Sequence, residues 1–177
     1  MSEIEIKYCI DNLDSAPFKD EWDIEGRLSI TKDSVTLTKR IDDSDDDGFR
    51  GDYIFYNLER WVDSVPKICN GERCKLYFID SQEIFMFIPK GEITCFKYYT
   101  EGIGQLVERE NKRYPNHEEG IPLKTDELVL EIIRVSELFI DSVGPKIKDK
   151  SDIIRFKQSL KEAREAYDQY LKRTEQN

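Results

Sequence analysis

Residues 40–52 read RIDDSDDDGFRGD and place five aspartates within six positions, followed by a glycine. Asp43, Asp45, Asp47 and Gly48 reproduce the first half of a calcium loop, in which alternate carboxylates converge where glycine allows a sharp turn. The second half departs from that pattern. Ile54 stands where a bidentate glutamate belongs, Arg50 stands at the apolar eighth position, and the preceding segment reads as a strand. The loop is therefore expected to be a solvent-exposed strand-to-helix connection without metal. A divalent-metal-dependent enzyme or metal-regulated module using Asp43–Asp47 is the alternative. Clustered carboxylates repel one another, so water, Arg40 and Arg50, a metal or a basic partner must offset them. Replacing them with asparagine is expected to leave stability unchanged or improved.

Other chemistry is thin. Cys69 and Cys74 bracket NGER at a spacing a zinc knuckle tolerates, but Cys9 and Cys95 fall inside strand-like segments, so buried thiols are the better account. His117, the only histidine, sits in the polar stretch YPNHEEG and reads as exposed. No nucleophile elbow occurs, and EGIGQ lacks the third glycine of a phosphate cradle. The sequence points to no catalytic residue and no cofactor. Tyr53, Phe55 and Tyr56 follow the aspartate loop. Phe55 and Tyr56 lie off the Ile54–Leu58–Trp61 stripe, and aromatics beside acids suit anchors for a basic protein.

The elements that carry these residues follow from hydrophobic period. Ile4, Ile6, Tyr8 and Ile10 alternate with polar neighbours, as do Trp22, Ile24, Gly26, Leu28 and Ile30, and then Val35, Leu37 and Ile41. Three antiparallel strands over residues 1–50 are expected, with TKDS reversing the chain. Ile54, Leu58, Trp61, Val62 and Val65 change the period to that of a helix over 52–68, with Asp52 or Asn57 as cap. KLYFID, EIFMFIPK and EITCFKYY form a three-strand meander over 74–100, with Ile84–Ile88 central because it is apolar on both faces. Residues 100–121 read as a long polar loop. Two helices follow over 125–173, one with Asp126 and Glu127 in its first turn and the other capped by Ser151. The expectation is one α+β domain over 1–177, ordered βββ-α-βββ-αα, with helices on a mostly antiparallel sheet of about six strands.

Of the 177 residues, 38% are hydrophobic and 11% aromatic, enough for a packed core. The net charge of −10 argues against nucleic acid and anionic membrane as partners and for a basic protein. Residues 146–177 carry nine basic and six acidic side chains, so the acidity lies in residues 1–145. No cationic stretch precedes an apolar run at the N-terminus and no run has membrane-spanning length, so a cytoplasmic location with four unpaired cysteines is expected.

The stretches FYNLERWVDSV, KLYFID–EIFMFIPKGEITCFKYY and IPLKTDELVLEIIRVSELFIDSV, within residues 54–143, resemble the small acidic immunity proteins of bacterial polymorphic-toxin systems. The resemblance implies tight, non-catalytic binding to one cognate toxin, often a basic nuclease. It carries no binding residue over position by position. From the residues themselves, Asp42, Asp43, Asp45, Asp46 and Asp47 are expected to steer a basic partner, and Tyr53, Phe55 or Tyr56 to anchor it.

Overall fold

The computed structural model describes residues 4–79, 81–101, 108–110, 112–115 and 119–176. The chain is α+β, with two antiparallel sheets and three α-helices around a shared apolar core. The first sheet holds β1 (Ile4–Ile10), β2 (Gly26–Lys32) and β3 (Val35–Thr36) in the order β1-β2-β3. Ile6 pairs with Ile30 and Tyr8 with Leu28, which puts the alternating isoleucines of β1 against the core while Glu5 and Lys7 face solvent. Gly26 lets β2 approach closely, since a Cβ there would lie 2.4 Å from the Cys9 carbonyl and 2.8 Å from Ile54. Asp33 and Ser34 both take positive φ and close the β2–β3 turn.

The third strand is much shorter than the alternation Val35–Leu37–Ile41 implies. The Leu37 amide makes a last backbone bond to the Ile30 carbonyl, and the ladder then passes to a side chain: the Ile30 amide donates to the Thr38 hydroxyl, which donates to the Gly48 carbonyl. The chain then leaves the sheet, and Ile41 is 68% exposed. It returns at Arg50, which exchanges both backbone hydrogen bonds with Leu28, and at Asp52, whose carbonyl accepts from Gly26. The aspartate segment is thus an excursion from the outer edge of β2.

Helix α1 (Ile54–Cys69) is buried on two sides. Trp61 packs edge-on against Phe85 and Phe87 of the second sheet, both at 5.7 Å. Phe55, on another side, meets Phe139 and Phe156 at 5.9 and 5.1 Å. The second sheet contains β4 (Cys74–Tyr77), β5 (Glu83–Lys90), β6 (Ile93–Glu101), β7 (Glu108–Glu110) and β8 (Ile121–Lys124). Ile84, Phe85, Met86 and Phe87 of β5 are all fully buried, as an interior strand covered on both faces requires. The outer edge of β6 is shared, with β8 pairing to Ile93–Phe96 and β7 to Tyr99–Glu101. The stretch 100–121, expected as loop, therefore contains one short strand, β7, and leads into a second, β8, which begins at Ile121. The expected single six-stranded sheet is two sheets of three and five strands, separated because α1 contacts both and the outer edge of β2 is taken by β3, Arg50 and Asp52.

Helices α2 (Thr125–Val143) and α3 (Lys150–Thr174) close the core. Asp149, rather than Ser151, caps α3 by accepting from the Ser151 amide at 2.9 Å. Two arginines fasten these helices. Arg134 holds Glu131, whose carboxylate accepts the Ile6 amide of β1 at 2.8 Å, and Arg134 donates to the Ile6 carbonyl. Arg155 gathers Glu59 of α1, Glu21 and Asp152, at 2.8, 2.7 and 3.1 Å. Burial pushes the Glu21 carboxyl upward, against the opposing pull of Arg155. Among the described residues, no helix is long and apolar enough to cross a membrane.

Candidate functional site

The aspartate loop is held from within. Asp46 accepts from the Arg40 and Gly48 amides at 2.8 and 2.9 Å and is ion-paired to Arg50. Its side chain is only 5% exposed. Burial alone would raise this carboxyl, but Arg50 and the two amides override it and bring it down to about 2. Asp47 accepts from the Phe49 amide and from Arg27, both at 2.9 Å, and Arg27 also forks onto Asp11. Asp42 meets Arg113 at 3.2 Å. Asp43 takes the Asp45 amide at 3.1 Å and lies 4.0 Å from Arg40. Asp45 is exposed, with no cation in ion-pairing range among the described residues. The other four carboxylates point at arginines and amides, and among the described residues no three metal-ligating groups are arranged to hold an ion.

Arg50 also bolts the loop to the second sheet. Its Nε donates to the Tyr114 hydroxyl at 2.7 Å, and that hydroxyl donates to Glu83 at 3.3 Å. Tyr98 donates to the other Glu83 oxygen at 2.6 Å and stacks on Tyr114 with ring centroids 3.9 Å apart. Burial, then the Glu83 charge, pushes the Tyr98 hydroxyl far up, so it stays a donor. Asp46 is consequently part of a buried polar network and not of an open acidic face. Neutralising Asp46 would therefore not relieve repulsion, as the clustering of aspartates implies, but leave Arg50 buried without its carboxylate.

The nominated aromatics divide. Phe55 is 0% exposed between Phe139 and Phe156 and cannot anchor a partner. It lies off the stripe yet is buried, because α1 faces the sheet on one side and α2 and α3 on another. Tyr53 and Tyr56 remain partly exposed. They meet Trp22, with centroids 5.7 Å from each, and the Arg60 guanidinium lies 5.1 Å above the Tyr56 ring.

Trp22 was expected to point inward with Ile24 and Leu28. It is 47% exposed, because Asp20 accepts the Trp22 amide at 3.0 Å and caps a 3-10 turn, Glu21–Asp23, which interrupts the alternation. Tyr53 is fixed beside it by its bridge to Glu25 and by the Asp52 carboxylate, which accepts the Tyr53 amide at 2.7 Å. Exposed Asp23 and Glu25 border these rings, and neither has an ion pair among the described residues. A tryptophan, two tyrosines and an arginine gathered on one surface are the residue types that dominate protein interfaces. The signal available in the sequence was the run KDEWDIE, where an acidic turn interrupts a strand period.

All four cysteines are free; Cys69, Cys74 and Cys95 are buried, and burial pushes the Cys69 and Cys74 thiols up to about 11. His117 and most of EGIGQ lie outside the described residues. Comparison with known proteins finds no matching family model, no matching curated protein and no matching solved structure.

Proposed function

We propose that the chain is a non-catalytic binding module of the immunity type, which captures a basic protein through the surface around Trp22, Tyr53 and Tyr56. The observation that carries this reading is the half-exposed Trp22, held in a three-ring cluster and bordered by carboxylates. Such rings bring a large contact area at little conformational cost, and the surrounding acids select a cationic counterpart. Asp42, Asp43, Asp45 and Asp47 reach solvent and add a weaker attraction, since most of their charge is answered by arginine. Asp46 and Phe55 have no part in the contact. The four free thiols support a reducing, cytoplasmic setting.

The test is affinity capture from cells that express the chain, with wild-type protein and a Trp22→Ala/Tyr56→Ala variant, followed by identification of what is retained. The reading requires a basic protein that the wild type and Asp45→Asn both hold and the double variant releases. Equal retention by the double variant excludes this surface, and an acidic or neutral sole partner excludes the charge assignment.

A further inference from the structure

Glu25 and Tyr53 face each other across an isolated antiparallel bridge. Directly opposed residues of such a bridge project to the same face with Cβ atoms about 5 Å apart, so the two side chains are presented together. The half-exposed Trp22 meets the Tyr53 ring at 5.7 Å, with the planes 74° apart. Asn12 fixes the stretch between Trp22 and Glu25. Its side-chain nitrogen donates to the Asp23 carbonyl at 2.7 Å, and its side-chain oxygen accepts the Glu25 amide at 3.0 Å. The neighbouring guanidiniums are already engaged, Arg27 with Asp11 and Asp47, and Arg60 with Asp63. The Asp23 carboxylate accepts the Lys19 amide at 2.8 Å, whereas the Glu25 carboxylate has no hydrogen bond among the described residues.

We infer that the corner formed by Trp22, Tyr53 and Glu25 receives an arginine side chain of the partner, in preference to lysine. The inference rests on the protein-binding reading proposed above. The chain already contains one such arrangement, since the Arg60 guanidinium lies 5.1 Å above the Tyr56 ring while pairing with Asp63 at 3.5 Å. Among the described residues no cation covers Trp22 or Tyr53 in the same way. A guanidinium is flat and weakly hydrated, so its face stacks on an indole while its edge forks onto a carboxylate. An ammonium keeps its water at a half-exposed site and has no fork to offer. Asn12 and the Asp20 cap set the Trp22–Glu25 stretch before contact, which leaves little ordering to oppose binding.

The probes are capped hexa-arginine and hexa-lysine peptides, titrated calorimetrically into the full chain at about 0.15 M salt. Their charges are equal, so general attraction to an acidic chain cancels in the comparison. The arginine peptide is expected to bind about fivefold tighter. Trp22→Ala and Glu25→Gln should each reduce that preference to less than about twofold, and Asp45→Asn should leave it unchanged. Trp22 and Glu25 are both exposed, so the fold should survive; if Trp22→Ala misfolds, Glu25→Gln carries the test. Equal affinities in the wild type, no binding of either peptide at millimolar concentration, or a preference that survives Glu25→Gln overturns the arginine assignment. Capture of a basic protein that depends on Trp22 and Tyr56 would still stand in each of these cases, so the two readings fail separately.

Discussion

In the aspartate loop four of the five carboxylates meet arginines 27, 40, 50 and 113, drawn from four separate places in the chain, whereas around Trp22 the carboxylates of Asp23 and Glu25 meet none among the described residues. The loop has the higher density of charge and the surface has the greater amount of unanswered charge. Acid content in a sequence thus measures neither the field a region projects nor its readiness to bind. What matters is whether guanidiniums from distant strands and loops arrive to neutralise it.

The largest effect that would sharpen this contrast lies inside the loop. Asp46→Asn leaves Arg50 buried and unpaired, and is expected to cost about 3 kcal/mol in urea unfolding. Asp45→Asn, one residue away and exposed, should stay within about 0.5 kcal/mol. Similar costs for both would show that the loop is a uniform solvated surface after all.

Next in size is Trp22→Ala, for which partner affinity should fall about thirtyfold, mostly through faster dissociation, while stability drops by only about 1 kcal/mol. Asp47→Asn should instead slow association less than about threefold, because Arg27 already answers that charge. Stopped-flow association and dissociation rates at two salt concentrations separate the two outcomes. If Asp47→Asn is the more damaging change, the roles given to the two regions are reversed.

Acid supplies a third comparison. The Asp46 carboxyl is depressed from 3.8 to about 2, so its stabilisation is complete above about pH 4 and is lost as pH falls toward 2. Wild-type protein should lose about 2 kcal/mol from this group across that window, and Asp46→Asn should not. Parallel stability curves for the two proteins between pH 4 and pH 2 would contradict the Arg50 pairing.

The helices were legible in sequence because each buries an apolar stripe at helical period, as Leu128–Ile132–Val135–Phe139–Val143 does in α2. The interior position of β5 was legible from Ile84–Ile88, which leaves no polar face for solvent. Residues whose fate depends on distant partners were not. Nothing local announces that Arg27 and Arg113 reach Asp47 and Asp42, or that Asp46 turns inward to Arg50 while Asp45 turns out. Phe55 was misjudged because a single-stripe pattern assumes one buried side. Trp22 was misjudged because a side-chain cap from Asp20 outweighed the alternation. Of the proposed contact surface, Tyr53 and Tyr56 were visible in advance, and Trp22 was visible only as a core residue.

The grip of Glu131 and Arg134 on the Ile6 peptide has a bearing on how another chain could approach. Ile6 offers its amide and carbonyl away from β2, the arrangement by which a sheet margin recruits a visiting strand. The α2 carboxylate takes the amide and the guanidinium takes the carbonyl, imitating with two side chains the peptide of a strand that is not there. At this margin a visiting peptide would have to displace a charged pair to gain the same two hydrogen bonds. Backbone zippering, which tolerates many sequences, is therefore disfavoured at this margin, leaving recognition to side chains.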